Sequence, residues 1–122
     1  MRFLVVDDSA TMRRIVVNSL QRVGFTDVVE AADGAEALEK MDSVDFLITD
    51  WNMPKLSGAE LTRAVRARED TRQLPVLMVT ARSVRDDILS AMEAGVDSYV
   101  VKPFTPQVLR EKIDAVLAAR AA

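Results

Sequence analysis

The 122-residue sequence predicts an α/β fold, a (βα)5 three-layer sandwich around a parallel five-stranded sheet. Three observations predict it. Short apolar runs alternate with helical patterns along the whole chain. The runs are continuously apolar rather than alternating, which marks strands covered on both faces. And a polar residue stands at the end of four of the five runs, at Asp7, Asp50, Thr80 and Lys102.

The elements follow in order. Phe3-Leu4-Val5-Val6 is the first strand, ending in Asp7. Met12, Ile15, Val16, Leu20 and Val23 then keep the three-four spacing of an amphipathic helix, and Gly24 stands where its C-terminus wants a glycine. Val28-Val29, within Asp27–Ala31, is a weaker second strand. Ala37, Leu38 and Met41 mark a shorter helix, with Asp33 as N-cap and Glu36 three residues on. Phe46-Leu47-Ile48-Thr49 is the third strand, ending in Asp50. Ser57 and Glu60 form a capping box before Leu61 and Val65. Val76-Leu77-Met78-Val79 ends in Thr80, and Val84, Ile88, Ala91 and Met92 mark a helix closed by Gly95. Tyr99-Val100-Val101 ends in Lys102. Thr105 then caps a helix that has Pro106 at its first position and Leu109, Ile113, Val116 and Leu117 on its apolar face.

The length fits one domain spanning residues 1–122, and a domain of this size buries about two-thirds of the surface its unfolded chain exposes. The chain has no cysteine, which excludes disulfides, thiolate–metal sites and cysteine nucleophiles. It has no histidine either, which removes the usual general base, the usual zinc ligand and any phosphohistidine of its own. Residues 1–61 hold six Lys/Arg against eleven Asp/Glu, and residues 62–122 hold ten against eight. No dense basic stripe appears, so nucleic acid is not an expected partner. No apolar run approaches a membrane span, and no basic stretch followed by a long apolar block opens the chain. The expectation is a soluble, cytoplasmic domain.

In open parallel sheets, ligands bind outside the carboxyl ends of the strands, where the strand order reverses. In the order 2-1-3-4-5, known from sheets of this class, the first and third strands are neighbours and Asp7, Asp8 and Asp50 converge. Carboxylates about 5 Å apart at an effective dielectric near 20 repel by roughly 3 kcal/mol per pair. Either one acid takes a proton or a cation sits among them. With only oxygen ligands the ion is hard: Mg²⁺ first, with Mn²⁺ or Ca²⁺ as alternatives. Taken singly, each residue has an ordinary reading; Asp7 or Asp8, for example, could simply cap the first helix. Together, the acid pair, single acid, hydroxyl and lysine point to a site.

Val5-Val6-Asp7-Asp8-Ser9, Ile48-Thr49-Asp50-Trp51-Asn52-Met53-Pro54, Val79-Thr80-Ala81 and Val101-Lys102-Pro103-Phe104 resemble the motifs of response-regulator receiver domains, a flavodoxin-like fold. Asp50-Trp51-Asn52-Met53-Pro54 together with Thr11-Met12-Arg13-Arg14-Ile15 narrows the resemblance to the chemotaxis regulators. The resemblance implies that Asp50 accepts a phosphoryl group from the phosphohistidine of a CheA-like kinase. It implies Mg²⁺ on Asp7, Asp8, Asp50 and the backbone carbonyl of Asn52, with Thr80 and Lys102 binding the acyl-phosphate oxygens. A cis Lys102–Pro103 bond is also implied. Such a protein catalyses only its own phosphorylation and dephosphorylation, acts as a monomer, and is served in some systems by a phosphatase. Its output surface would run over the fourth helix, fifth strand and fifth helix, roughly residues 84–117, and bind a FliM-like flagellar motor switch protein.

Tyr99 reads alone as a half-buried strand aromatic; by resemblance it swings inward as Thr80 moves toward the phosphate. Trp51, the only tryptophan, is either an exposed lid or ordinary packing, and in both cases should report Mg²⁺ through fluorescence. Arg82 stands where chemotaxis regulators often carry glutamate. With Asn52 it would flank the approach of water and alter phosphate lifetime, or it is an exposed arginine without a role. The alternative function is a phosphate sink or phosphorelay intermediate without motor binding. A flavodoxin-like cofactor protein fits poorly, because Asp7-Asp8 would repel a phosphate in the absence of metal. A DNA-binding effector is not expected, since no residues follow the fifth helix to form one.

Overall fold

In the computed structural model, residues 1–81 and 85–121 are described. The elements run β1 (Phe3–Val6), α1 (Ala10–Arg22), β2 (Val28–Ala31), α2 (Gly34–Glu39), β3 (Phe46–Asp50), α3 (Gly58–Ala67), β4 (Val76–Thr80), α4 (Arg85–Ala94), β5 (Ser98–Val101) and α5 (Pro106–Ala121). All strand pairs are parallel, and the sheet order is β2-β1-β3-β4-β5. The continuously apolar runs β1, β3 and β4 are the central strands and are buried along their whole length. The weaker run became the half-exposed edge strand β2, which needs less apolar surface.

Successive side chains of the central strands feed two separate cores, as the two-residue period of a strand requires. Leu4, Val6, Leu47, Val76 and Met78 pack with Ala37 of α2, Leu61 and Val65 of α3, and Ala91 of α4. Phe3, Val5, Phe46, Ile48, Leu77 and Val79 pack with Val16 and Leu20 of α1 and Leu109 and Ile113 of α5. Helices therefore cover both faces, giving the predicted three layers. Among the described residues, no helix is long and apolar enough to cross a membrane.

The helix ends follow their local chemistry. Asp33 accepts from the Glu36 backbone N–H, and Ser57 and Glu60 close a reciprocal capping box. The Thr105 hydroxyl accepts from the Val108 backbone N–H at 3.1 Å, with Pro106 first in α5. Gly24 and Gly95 adopt φ of +99° and +106° just past α1 and α4. One ordinary reading of the acid pair falls away. The cap of α1 is Ser9, which accepts from the Met12 N–H, and not Asp7 or Asp8. Asp50 and Thr80 end their strands as the sequence predicts, the ladders running through Asp50–Val79 and Thr80–Val101. The predicted start of the fourth helix at Val84 lies outside the described residues. The Lys102–Pro103 bond is cis.

Gly58 pins the start of α3 to the end of β3. Its N–H donates to the Trp51 carbonyl at 3.0 Å, and a Cβ there would lie 2.5 Å from the Asp50 carbonyl oxygen and 3.0 Å from Trp51 Cα. These neighbours are backbone and cannot rotate away. Gly58→Ala is therefore expected to cost about 1–3 kcal/mol, read as a lower urea midpoint at an unchanged slope. An unchanged midpoint would show that the two backbones separate freely.

Candidate functional site

After β1 the chain turns to the β2 edge, then crosses back to place β3 on the other side of β1. Loops leave in opposite directions at that point, opening a crevice at the carboxyl ends of β1 and β3. Asp7 and Asp8 follow β1 directly, and Asp50 ends β3. One oxygen from each of Asp7, Asp8 and Asp50 lies within 4.8 Å of the others. Asp7 and Asp50 are buried, at 2% and 8% exposure, while Asp8 faces solvent.

Lys102, just past β5, reaches into the same crevice. Its Nζ lies 3.1 Å from Asp50 Oδ1 and 3.7 Å from Asp7 Oδ2. Its backbone N–H donates to the Thr80 carbonyl at 2.7 Å, continuing the β4–β5 ladder. Thr80 is buried at the end of β4. The structure thus brings Asp7, Asp8, Asp50 and Lys102 together and puts Thr80 on the same sheet edge.

The electrostatics are unbalanced. Burial pushes the Asp7 carboxyl above its ordinary range, against the Ser9 N–H and the Lys102 charge, which pull it down. Burial likewise pushes Asp50 up, helped by the Asp7 charge and opposed by its hydrogen bond from Lys102. One ammonium does not offset the dehydration of two carboxylates, so the cluster favours a further positive charge.

The donor set suits a hard cation. All three groups are carboxylates, and an ion holding oxygens at about 2.1–2.4 Å spans opposite ligands about 4.2–4.8 Å apart. The three oxygens, all within 4.8 Å of one another, are close enough to share one such ion. Asn52, two residues past Asp50, is exposed on the same loop. That loop makes a tight three-residue turn: the Leu56 N–H donates to the Pro54 carbonyl at 2.8 Å, and Lys55 between them has φ of +69°.

The other predicted residues sit as follows. Trp51 is 8% exposed and packs in the core under α2–α4, so the packing reading holds and the exposed lid does not. Tyr99 is half-buried on β5 against the same core, with the Lys112 ammonium 5.6 Å from its ring centroid. Arg82 lies outside the described residues. Sequence reasoning did not single out Arg13, whose Nη1 donates to the Asp7 carbonyl at 2.7 Å and whose Nε donates to Glu30 Oε1 at 3.0 Å. In the sequence it stands one turn into the helix that follows the acid pair, within the Thr11–Ile15 motif, with no role attached to it.

Comparison with known proteins gives a consistent result. The model of the response regulator receiver domain matches residues 3–114. The chain is 57% identical over 118 residues to the chemotaxis protein CheY of Pseudomonas aeruginosa, covering 95% of each. Among solved structures it resembles the chemotaxis protein CheY4 of Vibrio cholerae with a TM-score of 0.88 at 36% identity, covering 94% of this chain and 97% of that one. It also resembles the receiver domain of a Pseudomonas aeruginosa sensor histidine kinase, solved with a magnesium ion coordinated in the active site cleft. The TM-score is 0.87 at 27% identity, covering 96% of this chain and 97% of that one.

Proposed function

The chain belongs to the response regulator receiver domain family, and from that premise we propose that it is a chemotaxis signalling switch phosphorylated on Asp50. The observation that carries this reading is the convergence of three carboxylates and Lys102 at the switch point of the sheet. The likeness to CheY proteins supports the chemotaxis assignment.

Phosphoryl transfer needs positioning and charge stabilisation more than covalent help from the protein. In this reading an Asp50 carboxylate oxygen attacks the phosphorus of a kinase phosphohistidine, and the imidazole leaves. Asp7, Asp8, Asp50 and the Asn52 carbonyl would hold Mg²⁺, which when bound supplies charge neutralisation at the phosphoryl oxygens. Lys102, already 3.1 Å from Asp50, pairs with an oxygen of the transferred group as a compact point charge. The Thr80 hydroxyl supplies a second donor, and its displacement is relayed through Tyr99 on β5. Asn52 borders the path of water to the acyl phosphate.

The output face in this reading is α4, β5 and α5, which would meet a flagellar motor switch protein. Leu89 and Met92 of α4 and Val108 of α5 are large apolar side chains exposed there. We place the protein in the cytoplasm, where kinase and motor switch are both accessible.

The test is incubation with acetyl phosphate and Mg²⁺ followed by intact mass. The expected result is a gain of one phosphoryl group that EDTA prevents. Trp51 fluorescence should change on addition of Mg²⁺, because its residue adjoins Asp50. No mass gain with Mg²⁺ present would overturn the assignment.

A further inference from the structure

The cation reading of the cluster leaves unexplained what holds Asp7 and Asp8 in place against their mutual repulsion. All but one of the polar atoms of Asp7 are committed. Its N–H donates to the Ala31 carbonyl at 3.2 Å, its Oδ1 accepts from the Ser9 N–H at 2.9 Å, and its carbonyl accepts from Arg13 Nη1 at 2.7 Å. Oδ2 is left to face the crevice and Lys102.

The Arg13 contact differs from the others because it grips the peptide that joins the two acids. A peptide is planar, so fixing its carbonyl fixes the direction in which the chain leaves toward Asp8. Arg13 is itself held. Its Nε donates to Glu30 Oε1 at 3.0 Å, and its side chain is only 19% exposed. Glu30 lies on β2 beside Val5 of β1, and its carbonyl accepts from Lys40 Nζ at 2.8 Å. A rigid guanidinium fork therefore spans from an anchored strand residue to the Asp7–Asp8 peptide.

We propose that Arg13 is a positioning residue of the cation site, holding the Asp7–Asp8 peptide in the orientation that presents both carboxylates to one ion. This rests on the reading of the cluster as a cation site. The sign of the effect separates positioning from plain electrostatics. Removing a positive charge beside three carboxylates tightens cation binding by charge alone. Loss of an outer partner that orients the ligands weakens it, typically by 10-fold or more.

The test measures Mg²⁺ dissociation constants by titration calorimetry for wild type, Arg13→Met, Arg13→Lys and Arg14→Met. Arg13→Met is expected to bind about 10-fold more weakly. Arg14→Met, which removes the same charge from an exposed neighbour, should bind as wild type or slightly tighter. Arg13→Lys keeps the charge but loses the fork, and is expected to bind several-fold more weakly than wild type. Equal or tighter binding by Arg13→Met, or an equal loss in Arg14→Met, would overturn the proposal. If Arg13→Met does not fold, Arg13→Lys decides: weaker binding supports the proposal and wild-type binding overturns it. Absence of Mg²⁺ binding in wild type would instead overturn the cation reading itself, so the two failures are distinct.

Discussion

Asp50→Asn is expected to abolish the phosphoryl gain from acetyl phosphate and, in the same molecule, to stabilise the metal-free fold at neutral pH by about 1 kcal/mol. The first effect follows from the proposed role: an amide of nearly the same shape lacks the anionic oxygen that attacks phosphorus. The second follows from where the carboxylate sits. Asp50 is 8% exposed and shares its crevice with Asp7, and burial pushes both carboxyls up. The substitution removes one dehydrated charge and its repulsion with Asp7. Lys102 loses its 3.1 Å partner but keeps Asp7 at 3.7 Å.

The pH dependence carries the same sign. A carboxyl raised in the folded state binds more protons there than in the unfolded chain between its two pKa values, so stability falls as pH rises through that window. The contributions of Asp7 and Asp50 are thus complete below the ordinary carboxylate pKa and are lost as pH climbs through the raised folded values. The advantage of Asp50→Asn should be larger at pH 7 than at pH 4 in urea denaturation without metal. Saturating Mg²⁺ should reverse the ranking, since an ion that binds only the native state stabilises the wild type more. A variant less stable than wild type at pH 7 without metal would mean that the Lys102 pairing outweighs burial.

Much of this arrangement is legible in the amino-acid sequence. Each apolar run that became a strand is bounded by residues whose side chains could not be buried unpaired, so the site residues announce themselves as polar groups at strand ends. Capping residues such as Asp33 and Ser57 were readable because their chemistry is local, three residues in reach. Trp51 was ambiguous for a physical reason: an aromatic just past a strand can turn outward or inward. Its burial depends on α3 closing against β3 at Gly58. Arg13 stands in a quoted motif, but its contact is not legible because its partner Glu30 is 17 residues away on a strand whose neighbour is known only from the sheet order. Lys55 gave no sign of its positive φ, since nothing about a lysine favours that conformation.

The same limit hid Asp97, whose loss is expected to cost the most stability of any single substitution considered. Asp97 precedes β5, and its carboxylate gathers three elements at the opposite edge of the sheet from the site. Oδ2 accepts from the Val76 N–H at 2.8 Å, Arg66 Nη2 at 3.1 Å and Arg120 Nη2 at 3.0 Å, and Oδ1 accepts from Arg120 Nε at 3.0 Å. The arginines also hold backbone: Arg66 donates to the carbonyls of Gly95 and Leu74, and Arg120 to that of Gln73. The three side chains are 19–25% exposed, between a solvent-screened pair and a buried one. Asp97→Ala leaves two guanidiniums facing each other and the Val76 N–H without its acceptor. The cost should be about 2–4 kcal/mol, well above the ~1 kcal/mol ceiling of exposed pairs. Asp97→Asn keeps an acceptor for Val76 and should cost less, which separates the hydrogen bond from the charge. Phosphorylation by acetyl phosphate should be unaffected in either variant at temperatures where it is folded, because the network shares no residue with the site. A loss below about 1 kcal/mol in Asp97→Ala would mean that water screens these pairs as it does on an open surface.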